Sequence, residues 1–144
     1  MGLIDDVGAG PVGLDTCVFI YLIEDHATYL PLIEPVFRAV ARGDIEVVTS
    51  SVTLLEVLVQ PYRVGNHALA TQYEASLLNS AGVRMVAPDP AIVRAAAAIR
   101  AATGAKTPDA LQLATAVASG CSAFVANDRR LPEIASLPVL QLGS

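Results

Sequence analysis

Residues 45–61 read IEVVTSSVTLLEVLVQP, and this stretch joins two different periodic patterns. Its first six residues, IEVVTS, are short, apolar and β-branched, which is typical of a buried strand of a parallel sheet. Ser50 and Ser51 then favour the start of a helix, which is predicted over residues 51–59. A buried strand that passes directly into a helix indicates an α/β chain.

The same alternation extends in both directions from this stretch. Four more segments have the composition of buried strands: PVGL near residue 12, VRMVA at 83–87, AFVA at 123–126 and PVLQL at 138–142. Strands that alternate with helices predict a parallel sheet with helices on both faces. In such sheets the ligand site lies beyond the carboxyl ends of the strands, so the residues that follow each strand are the candidates for function.

The helices between these strands are predicted from apolar periodicity and end signals. They cover residues 16–24, a segment that ends in FRAVARG with Gly43 as its C-terminal cap, residues 68–79 and AIVRAAAAIRAA. Pro31 and Pro35 permit a helix only near its first turn. The last helix is predicted to open at TPDAL, with Thr107 as its cap, Pro108 in the first helical position and Gly120 at its end.

The length and composition indicate one domain over residues 1–144, in which residues 1–10 have no assigned role. Charged residues interrupt every apolar run, and the N-terminus has no signal-peptide pattern, so no membrane contact and a cytoplasmic location are expected. The two cysteines do not form a disulfide framework. The net charge of −5 argues against broad coating of nucleic acid. It allows action on nucleic acid through bound cations, or a basic protein partner.

Four acidic residues occupy the positions that such a fold uses for function. Asp15 follows the first strand and Asp128 the fourth, Asp109 lies in the first turn of the last long helix, and Glu56 interrupts an apolar helix. Each has an ordinary structural alternative: a helix N-cap for Asp15, a helix-dipole contact for Asp109 and a turn for Asp128.

Glu56 has two alternative interpretations. It can close a capping box with Thr53, if the helix begins as late as Thr53. If the helix begins at Ser50 or Ser51, Glu56 shares a stripe with Val52 and Val59, and its charge is predicted to lie near the core.

Taken together, the four acids favour a shared site. In a doubly wound sheet all four can point into one crevice, where ionised carboxylates need cations because like charges raise one another's pKa. Oxygen ligands favour Mg²⁺ or Mn²⁺, which are held by carboxylates together with water and substrate phosphates. Such a site suits metal-assisted cleavage of phosphodiesters.

The blocks LDTCVFIYLIE, TLLEVLVQP, KTPDALQLATA and FVANDRRL, in this order, resemble a PIN domain, and more narrowly a VapC-type toxin of a bacterial toxin–antitoxin pair. The resemblance covers about residues 11–142. It implies a three-layer α/β/α fold around a five-stranded parallel sheet, and a Mg²⁺- or Mn²⁺-dependent endoribonuclease. It places the metal site on Asp15, Glu56, Asp109 and Asp128, and it implies a homodimer inhibited by a small VapB-like antitoxin with basic residues.

Two positions depart from the family pattern. Cys17 stands where relatives often have Asn, and Ala126 stands where they often have Thr or Ser, so that Asn127 is expected to supply a polar contact instead. Thr16 is a further supporting residue, with a plain capping role as its alternative. Cys17 is interpreted as a buried small hydrophobe, because no histidine is placed to activate it.

Three basic residues are candidates for binding RNA phosphates: Arg129 and Arg130, which follow Asp128, and Lys106. Ordinary solvated surface is the alternative for each. His26 and His67 are expected at the surface without a catalytic role.

Two rival functions remain open. A phosphoacceptor receiver domain is also parallel α/β, and Asp5 and Asp6 superficially resemble its paired aspartates, although no convincing strand precedes them. A catalytically silent PIN-like binding module is the other. Cleavage of RNA that EDTA stops is expected only for the nuclease.

Overall fold

The computed structural model of the chain describes residues 2–143, and within them strands and helices alternate as the sequence predicts. The strands are β1 Val12–Leu14, β2 Val47–Ser50, β3 Val83–Val86, β4 Ala123–Ala126 and β5 Val139–Gln141. The helices are α1 Leu3–Val7, α2 Thr16–Ile23, α3 Leu30–Ala41, α4 Ser51–Val64, α5 His67–Leu78, α6 Pro90–Thr103 and α7 Thr107–Ala118.

The five strands form one parallel sheet in the order β3-β2-β1-β4-β5. The central strand β1 pairs with β2 through Val12 and Val47, and with β4 through Val12 and Ala123. The carboxyl ends of β2, β1 and β4 therefore lie side by side at one edge. The predicted five-stranded parallel sheet in a three-layer α/β/α fold is confirmed.

Alternate residues of each strand pack into the two helical layers. Ala123 and Val125 of β4 join the core formed with α1 to α5, whereas Phe124 and Ala126 pack on the opposite face with Leu113 of α7. Since side chains alternate across a strand, one four-residue apolar run supplies both layers.

Gly13 in β1 sets the close approach of α7 to the sheet. A Cβ at this position would lie 2.8 Å from the Phe124 ring and 3.1 Å from Cβ of Ala116. The absence of a side chain at Gly13 therefore lets α7, which carries Asp109 in its first turn, pack directly on the centre of the sheet.

The N-terminal segment has a structural role that the sequence did not indicate. Residues 3–7 form the short helix α1, which contacts α3 and β5, and Val7 is 1% exposed within the core. Asp5 and Asp6 lie in this helix rather than after a strand. The receiver-domain interpretation, which needs paired aspartates at a strand end, is therefore wrong.

Two helices have a proline in their interior, whereas Pro35 was expected only near a first turn and Pro61 lies two residues beyond the predicted end of its helix. Pro35 occupies the sixth position of α3, and Pro61 lies within α4, which extends five residues beyond its predicted end to a left-handed cap at Gly65. In α3 the apolar residues Ile33 and Val36 are buried on either side of Pro35, whereas in α4 Val57, Leu58 and Pro61 itself are buried. This burial outweighs the loss of one backbone hydrogen bond.

The start of α7 also differs by one residue from the prediction. The N-cap is Lys106, whose side chain makes no capping hydrogen bond, while Thr107 is the first helical residue. Gly120 lies just after the helix with a φ of 72°, as its predicted role at the helix end requires.

Among residues 2–143, no helix has the length and apolar character that crossing a membrane requires.

Candidate functional site

One open pocket at the carboxyl edge of the sheet gathers most of the predicted site residues. Its volume is about 470 Å³. Asp15 directly follows β1, Asp128 follows β4, and Glu56 and Asp109 come from α4 and α7. The lining residues are Asp15, Thr16, Cys17, Ile20, Glu56, Lys106, Pro108, Asp109, Asn127, Asp128 and Arg130.

Asp15 occupies the centre of this arrangement and has two roles in the fold. It is the N-cap of α2, where its carboxylate accepts a hydrogen bond of 2.9 Å from the Thr16 amide. Burial, together with the negative charges of Asp109, Glu56 and Asp128, raises the pKa of Asp15 to about 6, although the Thr16 amide opposes the shift. The capping role and a place in the pocket therefore coexist at this residue.

Asp109 is affected by the same accumulation of negative charge. Burial, with the charges of Asp128 and Glu56, raises its pKa, whereas Lys106 and Arg130 act in the opposite direction. Two carboxyl groups whose ionised forms are disfavoured by their surroundings would both be stabilised by a cation placed between them.

Glu56 reaches the pocket from an exposed face of α4. The buried residues of this part of α4 are Thr53, Val57 and Leu58, while Glu56 and Val59 are exposed. Glu56 shares an exposed face with Val59, so the predicted placement of its charge near the core is wrong. The capping-box alternative is also wrong, because the helix begins at Ser51 and Ser50 caps it through Val52.

A polar network holds the Glu56 carboxylate in position. Thr16 Oγ1 donates to Glu56 Oε1 at 2.6 Å, and Gln112 Nε2 donates to the same oxygen at 3.1 Å and to Thr16 Oγ1 at 2.8 Å. Thr53 Oγ1 lies 3.2 Å from Thr16 Oγ1. These contacts fix the orientation of the Glu56 carboxylate through Oε1 and leave Oε2 available to the pocket.

Gln112 is the polar residue of this network that sequence reasoning missed. Its side chain is only 4% exposed, and its partner Thr16 lies 96 residues away along the chain. The one available signal was a glutamine in the apolar run ALQLATA, where a buried amide needs hydrogen-bond partners.

Asp128 is engaged by Arg130 in this structure. The Arg130 backbone amide and Nε donate to Oδ1 at 2.9 and 3.0 Å, and Nη2 donates to Oδ2 at 3.1 Å. These hydrogen bonds hold the pKa of Asp128 below its usual range. The Arg130 side chain is 79% exposed, so the guanidinium can leave without disturbing the core.

The remaining candidates divide between the pocket and its surroundings. Lys106 lines the pocket, whereas Arg129 donates to the Gly143 carbonyl and lies outside it. Asn127 lines the pocket, but its amide donates to the Tyr21 hydroxyl at 3.0 Å and accepts from the Gly143 amide at 3.0 Å. Cys17 is half-buried, and burial beside Asp15 raises the pKa of its thiol to about 12, which keeps it protonated at neutral pH.

The donor set determines which ion this pocket suits. Every acidic ligand offers oxygen, and hard divalent cations prefer oxygen. Within residues 2–143, no three His, Cys, Asp or Glu side chains converge closely enough to enclose an ion. Mg²⁺ is usually bound by one or two carboxylates and several waters rather than by an all-protein cage. The residues that line the pocket therefore fit a hydrated divalent cation.

Comparisons with known proteins agree with this architecture. The sequence profile of the PIN domain matches residues 12–137. Solved structures with a similar fold include a toxin–antitoxin complex from Klebsiella pneumoniae, at a TM-score of 0.67 and 18% identity over 92% of this chain and 98% of that chain. VapBC2 from Rickettsia felis bound to a promoter DNA fragment has a TM-score of 0.65 at 17% identity, covering 90% of this chain and 97% of that one.

A third similar structure is FitAB bound to an IR36 DNA fragment, at a TM-score of 0.67 and 18% identity over 92% of this chain and 95% of that chain. No match is found among curated protein sequences.

Proposed function

The chain belongs to the PIN domain family, and from this premise we propose that it is a divalent-metal-dependent endoribonuclease, the VapC-type toxin of a toxin–antitoxin pair. The observation that carries the proposal is the single pocket lined by Asp15, Glu56, Asp109 and Asp128 at the carboxyl edge of the sheet. The similarity in fold to toxin–antitoxin complexes supports the biological class.

In the proposed reaction the acids act as a set with distinct tasks. Asp15 and Asp109 hold Mg²⁺ or Mn²⁺ directly, while Glu56 and Asp128 complete the site directly or through water. When bound, the cation activates water as a nucleophile and stabilises the leaving oxygen. Thr16 and Gln112 keep the Glu56 carboxylate aimed at the pocket.

The basic residues of the pocket provide contacts for the substrate phosphate. Lys106 lies beside Asp109, and Arg130 can exchange the Asp128 carboxylate for a phosphate, to which guanidinium groups bind in a similar two-pronged manner. This exchange would also release Asp128 toward the cation. Arg129, which contacts Gly143 outside the pocket, is a weaker candidate for this role.

The proposed partners are RNA, a second copy of the chain and a VapB-like antitoxin in the cytoplasm. An exposed apolar stripe on α4, formed by Leu55, Val59 and Tyr62, supports a protein partner next to Glu56. The net charge of −5 suits an antitoxin with basic residues. A short neighbouring reading frame that encodes a DNA-binding protein would support the antitoxin assignment.

The central test is cleavage of RNA by the purified chain. We expect a structured RNA to be cut internally with Mg²⁺ or Mn²⁺, and EDTA to stop the reaction. A DNA oligonucleotide of the same sequence serves as the comparison. If no RNA is cut under any metal condition while a basic antitoxin still binds, the chain is instead a catalytically silent binding module.

Replacing Gln112 with leucine is expected to weaken both cleavage and Mn²⁺ binding by about 10- to 100-fold, the usual effect of removing a residue that orients a metal ligand. Leucine fills a similar volume but leaves Glu56 without its donor from α7. Calorimetric titration with Mn²⁺ and a cleavage time course measure the two effects. Gln72→Leu, at an exposed position of α5, is the matched control. Unchanged Mn²⁺ affinity in Gln112→Leu would contradict the proposed role.

A further inference from the structure

The pocket that Asp15, Glu56, Asp109 and Asp128 line is named the acidic pocket. Three aromatic rings form a cluster next to it, and the proposed reaction does not use them. The aromatic cluster consists of Tyr21 at the end of α2 and His26 and Tyr29 in the loop that follows. The ring centroids of Tyr21 and Tyr29 are 4.8 Å apart at 28°, and His26 lies 4.8 Å from Tyr21 and 4.9 Å from Tyr29. All three rings are therefore in mutual contact.

A hydrogen bond joins this cluster to the wall of the pocket. The Tyr21 hydroxyl accepts from Asn127 Nδ2 at 3.0 Å. Cys17 and Asn127 both line the pocket, and Asn127 directly precedes Asp128. Tyr21 therefore connects the cluster to the pocket wall through its hydrogen bond with Asn127.

The cluster is held in a fixed orientation. His26 Nδ1 accepts from the backbone amides of Thr28 at 3.1 Å and Tyr29 at 3.2 Å, and the His26 amide donates to the Tyr21 carbonyl at 3.0 Å. His26 is exposed, while Tyr21 and Tyr29 are half-buried. The loop thus presents a preorganised aromatic edge to solvent.

The charge of the chain makes a contact of this kind valuable for binding RNA. The net charge is −5, and within residues 2–143 Lys106 and Arg130 are the basic residues that line the acidic pocket, while Arg38, Arg42 and Arg84 pair with acids outside it. Attraction to phosphates is correspondingly weak. Aromatic side chains stack on the bases of single-stranded nucleic acid, and this contribution adds to the attraction between basic residues and phosphates.

We propose that the aromatic cluster is a stacking subsite for an unpaired nucleobase of the RNA, beside the phosphate that the acidic pocket binds. His26 and Tyr29 form the contact surface, and Tyr21 positions it through Asn127. This inference rests on the proposed ribonuclease function, whose substrate it narrows to RNA with an unstacked base next to the cleavage point.

The test measures RNA binding separately from cleavage. The probe is a single-stranded RNA hexamer that contains 2-aminopurine, whose fluorescence is quenched by stacking, and the absence of tryptophan from the chain leaves this signal clean. The protein is the full chain with Asp109→Asn, which prevents cleavage. Adding His26→Ala or Tyr29→Leu is expected to weaken binding by about 5- to 150-fold and to abolish the quenching.

Matched variants and an altered probe distinguish stacking from a structural role. Tyr29→Phe keeps the ring and should bind as tightly as the parent, and His67→Ala removes an exposed histidine on α5 and should have no effect. With a hexamer of abasic residues, all variants should bind equally. Equal binding of the base-containing hexamer by Tyr29→Leu and Tyr29→Phe, or an equal loss with the abasic hexamer, would overturn the inference.

Failure of the proposed function gives a different result. If the unmodified chain cuts RNA with Mg²⁺ but the cluster variants bind RNA normally, only the stacking subsite is wrong. If the unmodified chain cuts no RNA with Mg²⁺ or Mn²⁺, the ribonuclease proposal fails whatever the hexamer shows. Thermal unfolding of each variant, followed by circular dichroism, identifies any that lose affinity because they fail to fold.

Discussion

Asp15→Asn is expected to abolish metal-dependent RNA cleavage, with a loss well beyond the roughly 100-fold that removal of an outer residue produces. Asp15 is the proposed ligand most surrounded by negative charge, with Asp109, Glu56 and Asp128 all acting on its carboxyl group. Asparagine has the same size and can still accept from the Thr16 amide, so the cap of α2 is retained. The variant therefore removes one charge without removing a structural contact.

A matched control separates this loss from a general effect on helix capping. Asp89 is the N-cap of α6, accepts from the Ile92 amide at 2.8 Å and lies outside the acidic pocket. Asp89→Asn changes the same chemical group in the same kind of position, and we expect full cleavage from it. A time course of RNA cleavage at saturating Mn²⁺ compares the two variants. Full activity in Asp15→Asn would contradict the assignment of Asp15 as a metal ligand.

The strands of this fold were readable from sequence because each is a short apolar run. AFVA was predicted at residues 123–126 and forms β4 over those residues, since all four side chains are buried. The five-residue helix α1 was missed because LIDDV is too short to show a period. The predicted end of α4 at residue 59 was too early because local propensity does not register the burial of Val57, Leu58 and Pro61.

The residues of the candidate site that follow strands could be predicted from the sequence. Asp15 and Asp128 follow β1 and β4, so the parallel topology alone brings them to one edge of the sheet. The exposure of Glu56 could not be predicted, because apolar residues occur on every side of α4 and the sequence does not show that Thr53, Val57 and Leu58 form its buried face. Contacts between distant segments, such as Gln112 with Thr16 and Tyr21 with Asn127, leave no local pattern in the sequence.

Asp15 is expected to destabilise the folded state at neutral pH without metal and to stabilise it when Mn²⁺ is bound. The pH dependence of unfolding tests the first of these two effects. In the unfolded chain Asp15 loses its proton near its ordinary pKa of 3.8, whereas in the folded chain it keeps the proton until about pH 6. The folded state therefore binds more protons between these values, so the metal-free protein loses stability as pH rises from about 4 to 6. The loss amounts to about 2 kcal/mol for this partly buried group.

Asp109 adds to this effect, because burial raises its pKa as well. Asp128 has the opposite sign, since the hydrogen bonds from Arg130 lower its pKa. Its contribution is lost only as the pH falls below its ordinary range, and so lies outside the window in which Asp15 titrates. At pH 7 without metal, Asp15→Asn should consequently be more stable than the unmodified chain by about 2 kcal/mol.

Adding Mn²⁺ at pH 7 should make the unmodified chain more stable than Asp15→Asn. At a concentration of about 100 times its Kd, the ion stabilises the unmodified chain by about 2.7 kcal/mol, because it binds the folded state alone. Asp15→Asn lacks the ligand and should gain far less. Urea unfolding followed by circular dichroism, at pH 4.5 and 7 and with or without Mn²⁺, measures both halves. With Asp89→Asn as the control, an Asp15→Asn variant that gains as much from Mn²⁺ as the unmodified chain would show that the ion binds elsewhere. The reversal thus tests whether the carboxylates that destabilise the metal-free fold are the ones that hold the cation.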